Sequence, residues 1–255
     1  MSGIEGTAGM DVRELLRSIR FGLTRLVPRF VNPGDLAVFA HLLGLRRWLD
    51  RARIDLVIDV GANVGQFALA LRYIGYRGEI LSFEPIPDAY AALARRMRGD
   101  ERWHGRPIAI GDRVGEDTFN IMASPDYSSF RSRLTENENA TDTVRERLRV
   151  PVRTLESIVD ELNLASRLHR TFLKSDTQGY EMSVLRGLGS YIESVKLVQC
   201  ELSSIQLYQG APFMTEIIDF LHEHHFQSVS FAPVPGDPMR PLEFDYLCIN
   251  EAAAG

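Results

Sequence analysis

Residues 54–65 read IDLVIDVGANVG, and the rest of the chain is organised around them. Ile54–Val60 is a short apolar run rich in β-branched residues, the mark of a buried strand. It passes directly into a turn carrying Gly61 and Gly65, and helical spacing takes over from Val64 to Tyr73. The same alternation then repeats. Glu79–Phe83 is a second strand, Pro87–Arg98 a helix and Arg106–Ile110 a third strand. Thr118–Ala123 and Val150–Leu155 read as extra strands flanking a polar stretch, Ser124–Arg149, long enough to be a lid or binding loop. Leu155–Leu164 is a helix, Arg170–Ser175 a strand, Glu181–Leu188 a helix and Lys196–Cys200 a strand. Phe213–His225 is an amphipathic helix, and Gln227–Phe231 and Phe244–Asn250 are the last strands. Such alternation implies a mostly parallel sheet covered by helices on both faces.

Ahead of this unit the chain reads differently. Residues 1–10 are a polar tail, Asp11–Phe30 has helical spacing, and Leu36–Arg51 is a second helix. The expected division is therefore 1–50 as a tail and helical extension and 51–255 as the α/β domain. In residues 11–30, Arg13, Arg17, Arg20, Arg25 and Arg29 outnumber Asp11 and Glu14. A basic amphipathic helix can make peripheral contact with an anionic membrane. The plainer reading is a helix packed on the domain as a cover for its pocket.

A glycine-rich turn between strand and helix lets backbone approach a ligand and presents helix N-terminal N–H groups to it. The dinucleotide fingerprint G-x-G-x-x-G, started at Gly61, needs glycines where this chain has Asn63 and Gln66. The turn fits instead the D/E-x-G-x-x-x-G pattern that binds S-adenosylmethionine, with Asp59, Gly61, Asn63 and Gly65 as cofactor-binding candidates. Glu84 ends the second strand 19 residues after Gly65, close to the ~20 expected of an acid that accepts ribose hydroxyls. Its other reading is a cap for the helix after Pro85. Asp112, after Ala109-Ile110-Gly111, is either a contact to the adenine or an ordinary turn acid.

With these residues in view, DVGANVGQF, SFEP, VRTLESIV and LKSDTQGYEMSVLRG together resemble the FkbM family of S-adenosylmethionine-dependent methyltransferases. The likeness runs from about Ile54 to Asn250. The family's later motif reads K-I-D-V/T-E/Q-G-x-E; here it is Lys174 to Glu181, with Ser175 replacing the usual apolar residue and Gln178 the less common variant. The resemblance implies a Rossmann-like class I methyltransferase fold with a seven-stranded sheet. It also implies methylation of a hydroxyl on a sugar, glycolipid or other secondary metabolite, so the partner is a small-molecule or glycan acceptor.

Methyl transfer from sulfonium to oxygen needs donor and acceptor held close and aligned, and a neutral alcohol gains from a base or a cation beside its oxygen. Asp176, after the fourth core strand, and Glu201, after the fifth, lie at the sheet edge where such ligands bind and are the catalytic candidates. Asp176 also reads as a helix cap, and two carboxylates at a sheet edge also arise without function. Paired oxygen ligands suit Mg²⁺, so a divalent metal is an option, although no metal ligand set is assigned. Glu181 is a partner of either Lys174 or the backbone. Ser128, Ser129, Arg131 and Arg133 fall in the polar stretch, near the pocket or simply solvated. Tyr208 and Phe213 read first as core aromatics. None of the six histidines stands at a motif strand end, so none is taken as the base.

Composition narrows the alternatives. The 255 residues are 45% hydrophobic with net charge −5, an ordinary globular mixture that disfavours a nucleic-acid partner. KSDTQ stands where the N-P-P-Y/F-like tetrad of a nucleic-acid methyltransferase would be, while an N-methyltransferase remains an alternative. A non-catalytic cofactor-binding protein stays open because of Ser175. No apolar run approaches the roughly 20 residues of a membrane-spanning helix. Cys200 and Cys248 are far apart without metal spacing, and the N-terminus lacks a signal peptide's apolar stretch; the expected location is the cytoplasm.

Overall fold

Leu56–Val60 (β1) is buried at every position, as its apolar run requires. The computed structural model describes residues 33–122, 128–132, 134, 144–234 and 241–253. The expected helix at 11–30 and Arg133 lie outside the described residues. β1 pairs in parallel with Glu79–Phe83 (β2) on one side and Thr171–Ser175 (β7) on the other. Trp103–Arg106 (β3) extends the sheet beyond β2, and Leu197–Ser203 (β8) extends it beyond β7, both in parallel. Glu243–Ile249 (β10) then enters antiparallel, followed by Gln227–Pro233 (β9) at the edge. The sheet order is β3-β2-β1-β7-β8-β10-β9, a seven-stranded, mostly parallel, Rossmann-like sheet.

Alternation along the strands sends side chains to two cores. Leu56, Ile58 and Val60 pack with helices Leu155–Glu161 (α4), Glu181–Arg186 (α5) and Met214–Glu223 (α6). Val57, Phe172 and Leu247 face the other way, against Pro33–Arg51 (α1), Gln66–Tyr73 (α2) and Pro87–Arg96 (α3). Leu45 and Leu49 of α1 belong to that second core, so the helix is part of one wall of the sheet.

Three expectations shift. The third core strand is Trp103–Arg106, not Arg106–Ile110. It is an only partly buried edge strand, so it carries no apolar run to signal it. The apolar Ala109–Ile110 (β4) leaves the main sheet and pairs with Val144–Arg153 (β6), which is antiparallel to Gly115–Met122 (β5) in a separate three-stranded sheet. Finally, β8 runs on to Ser203, because β10 pairs with it along that whole length. Glu201 therefore lies inside a strand, opposite Asp245, rather than after one.

Candidate active site

The C-terminal edge of the parallel strands opens into a cleft of about 840 Å³. Its floor begins at the turn after β1. Gly61 has φ +75 and packs so closely on β7 that a Cβ there would lie 1.9 Å from the Asp176 carbonyl oxygen. Only glycine permits that approach. Gly61 and Ala62 donate their N–H groups to the Phe83 carbonyl, and Asp176 donates to that of Val60, which ties the ends of β2, β1 and β7 together. Gly65, at φ +90, caps α2 against Leu93 and does not itself line the cleft.

Glu84 leaves β2 buried at the cleft wall. Oε2 accepts the Asn63 N–H and Oε1 the Ile86 N–H, each at 2.8 Å. One carboxylate thus holds both the glycine turn and Ile86, the residue that leads into α3. Burial, partly offset by those two N–H groups, pushes it up to about 7. Phe119, Phe130 and Tyr180 form an aromatic cluster, Phe119 edge-on to Phe130 at 4.9 Å between ring centroids and Phe130 tilted against Tyr180 at 4.7 Å. All three line the cleft with Ile86 and Ile110. Asp112 does not join them: it is exposed, outside the lining, and Ala109 and Ile110 face the cleft instead.

A polar row crosses the sheet beneath the cleft. The register sets Ser82 beside Asp59, Asp59 beside Lys174 and Lys174 beside Gln199, all buried. Trp103 donates to Ser82 Oγ at 3.1 Å, and Ser82 to Asp59 Oδ2 at 3.3 Å. Lys174 Nζ stands 3.6 Å from Asp59 Oδ1 and 3.2 Å from Asp176 Oδ2, over the ring of Phe67. Burial raises the Asp59 pKa, with the Lys174 charge opposing it. Burial also works against the Lys174 ammonium, but Asp176 and Asp59 outweigh it and raise its pKa. Sequence reasoning missed this lysine's reach. Its one signal was that Lys174 is one of only two lysines in the chain.

Asp176 and Glu201 both line the cleft, and Gln178 joins them. Its Nε2 donates to Asp176 Oδ1 at 3.2 Å and to Glu201 Oε2 at 2.6 Å. Gln178 is held in turn by Tyr208, whose hydroxyl donates to Oε1 at 2.6 Å, and by Ser129, which donates to its carbonyl at 2.7 Å. Tyr208 is thus a buried positioning residue, whereas Phe213 is exposed. Ser128 lines the cleft, and Arg131 reaches the Gly210 carbonyl from the same segment. Glu181 accepts from Thr177 N–H and hydroxyl and from Gly179 N–H, so its partner is the backbone turn rather than Lys174.

The carboxylate pair divides its charge. Desolvation opposes ionisation of Asp176, but the Lys174 ammonium and the Gln178 amide override it and hold its pKa low. Desolvation and the Asp176 charge push Glu201 well up. Their surroundings thus push the two carboxyls in opposite directions. Their nearest neighbours are an ammonium and an amide NH₂, which are donors and not metal ligands. Among the described residues no group of three or more His, Cys, Asp or Glu is set to hold a metal ion. The Mg²⁺ option does not fit this donor set.

Comparison with known proteins gives the family. The methyltransferase FkbM domain model matches residues 59–228. Methyltransferase 1 of Beauveria bassiana is 27% identical over 152 residues, 52% of this chain; the chain spans only 57% of that protein's length. The hexuronic acid methyltransferase AglP of Haloferax volcanii is 24% identical, with 71% of this chain and 73% of that protein covered. The 2-O-methyltransferase NoeI of Sinorhizobium fredii is 25% identical, with 76% and 79% covered. The glycine turn, Glu84 and the Lys174–Glu181 motif all lie inside the matched residues, and the chain belongs to the FkbM family of S-adenosylmethionine-dependent methyltransferases.

Proposed function

We propose that this chain transfers a methyl group from S-adenosylmethionine to a hydroxyl of a sugar, glycolipid or other secondary metabolite. The observation that carries the reading is geometric: Asp176 and Glu201, joined through the Gln178 amide, line the same cleft as the Gly61 turn and Glu84. The residues fit the cofactor. Glu84 keeps a free lone-pair direction on each oxygen for a vicinal diol, and Phe119, Phe130 and Tyr180 give the cleft an aromatic, apolar wall for a base. Bound there, the cofactor supplies an electrophilic methyl group.

The chain's own residues do the rest. Asp176 is the proton acceptor, since Lys174 and Gln178 keep it ionised without occupying both lone pairs of each oxygen. With the cofactor held there, Asp176 would take the acceptor hydroxyl's proton while the methyl group passed from the cofactor's sulfur to that oxygen, leaving S-adenosylhomocysteine. AglP and NoeI, named as acting on a hexuronic acid and as a 2-O-methyltransferase, support a sugar-like acceptor and oxygen as the methylated atom. The test is mass spectrometry of metabolites from a strain lacking the gene, paired with titration by S-adenosylmethionine and NAD. The expected result is a compound lacking one methyl group and binding of S-adenosylmethionine only. NAD binding without S-adenosylmethionine binding overturns the reading.

A further inference from the structure

The amino-terminal edge of the sheet, opposite the cleft, gathers positive charge. Helices α1, α2 and α3 lie on one face and turn into β1, β2 and β3 through residues 52–55, 74–78 and 97–102. These loops adjoin. The Glu79 N–H donates to the Asp55 carbonyl at 2.8 Å, Arg102 Nη1 to the Arg77 carbonyl at 2.7 Å, and Arg72 Nη1 to that of Gly78 at 2.8 Å.

Arg47 and Arg51 stand exposed near the end of α1, and Arg53, Arg77, Arg98 and Arg102 stand exposed in the loops. No acid neutralises them. Arg51 lies over the ring of Trp48, and Arg77 and Arg102 donate to backbone carbonyls. Arg47, Arg53 and Arg98 make no ion pair or side-chain hydrogen bond among the described residues. The acids close by are already matched: Asp50 by Arg46, Asp100 by Arg72, Glu79 by Arg167 and Asp55 by Arg170. Exposed Glu101 is the remaining acid of these loops. The helix dipole accounts for Arg47 and Arg51, but its reach ends with the last turn. The four loop arginines are held together against their mutual repulsion.

None of the six lines the cleft. With their charges set aside, the net −5 of the chain becomes −11 for everything else. A long polyanion wrapped on the molecule would meet that negative remainder, whereas a planar anionic surface meets one face. Tyr73, 44% exposed at the end of α2, adds an aromatic ring of the kind that settles at a lipid headgroup layer.

We propose that this edge docks on an anionic membrane surface, with lipid headgroup anions meeting the six arginines. The cleft lies at the other end of the strands, and β1 with its five residues is roughly 17 Å long. A docked chain therefore keeps its cleft open to solution.

The test is co-sedimentation of the full chain with vesicles of phosphatidylcholine alone and of phosphatidylcholine mixed with phosphatidylserine, at low and high salt. Binding to the mixed vesicles only, and its loss at high salt, are expected. Arg47→Gln, Arg53→Gln and Arg98→Gln together remove three charges without removing a side-chain hydrogen bond. At about fivefold for each charge, they are expected to weaken binding roughly a hundredfold. Arg47→Lys, Arg53→Lys and Arg98→Lys together should keep most of the binding. So should Arg145→Gln, Arg149→Gln and Arg186→Gln, the same charge change on exposed arginines outside this edge. No binding, equal binding to neutral vesicles, indifference to salt, or equal loss in the two glutamine sets overturns the inference. So does binding that survives the first set, since the contact then lies elsewhere in the chain. A single-stranded RNA bound through the same arginines more tightly than the mixed vesicles also overturns it and makes this edge a nucleic-acid surface. Each of these outcomes leaves methyl transfer standing.

Discussion

Glu84 does two jobs with one carboxylate. It braces the backbone at Asn63 and Ile86 and offers its remaining lone pairs to the cleft. Substitution by alanine would leave both N–H groups without an acceptor, whereas Glu84→Gln keeps an acceptor for one of them, so Glu84→Gln is the milder probe. We expect it to weaken S-adenosylmethionine binding by roughly 1.5–3 kcal/mol, the contribution of a charged acceptor. Because Glu84 titrates near 7 in the free protein, its protonation competes with the cofactor's hydroxyls below that pH. Affinity should therefore fall between pH 8 and pH 6 in the parent and stay flat in Glu84→Gln, as read by calorimetry. Asp176→Asn tests the proton acceptor. Turnover is expected to drop at least ~100-fold, the usual worth of a positioned base, with a melting temperature close to the parent's. Turnover within a few-fold of the parent's would leave Asp176 as a turn residue only.

The strands matter here for what their register lines up. Parallel pairing places Asp59 beside Lys174 and puts both in the core, where each charge depends on the other. Lys174→Met removes the compensation from Asp59, and such breaks cost ~3–5 kcal/mol. Adding Asp59→Asn should recover part of that loss, and a double-mutant cycle from denaturant melts measures the coupling. The turn after β7 gives a second test. Gln178 and Gly179 both adopt positive φ, at +54 and +88, and Glu181 Oε1 collects the donors of that turn. Burial raises Glu181 from its ordinary 4.5 to about 7. The native state then holds a proton that the unfolded chain gives up, so stability falls as pH rises from about 4.5 to about 7. Glu181→Gln keeps the accepting oxygen and loses the titration. Its melting temperature should gain on the parent's across that window and the gain should level off above it.

For the molecule as a whole, the question is where the working unit begins. Leu45 and Leu49 are 1% and 2% exposed in the core shared with β1, β7 and β10, and His41 and Leu42 line the cleft. Burying each leucine is worth about 1.5–3 kcal/mol. A chain started at residue 52 should thus melt lower and expose apolar surface to a dye such as ANS. Residues 33–51 supplied separately as a peptide should restore part of the loss. A truncated chain as stable as the parent would make α1 a dispensable cover.

Much of this was legible in the linear chain. Strand β1, its glycine turn, Glu84 and the Lys174–Glu181 motif are local features, written in consecutive residues whose spacing survives without any tertiary context. Strand β3 was not, because an edge strand needs no apolar run; the strands at Thr118–Ala123 and Val150–Leu155 were legible, but not their pairing with Ala109–Ile110 in a separate β4–β6–β5 sheet. The register across five strands is equally invisible in one dimension. Only folding brings Lys174 between two aspartates, sets Glu201 opposite Asp245, and turns Tyr208 and Ser129 into the holders of Gln178. Folding likewise moved Asp112 to the surface and brought His41 to the cleft. Local pattern specifies which backbone conformations a segment prefers; the charge state of a side chain depends on neighbours tens of residues away, and those exist only once the sheet has closed.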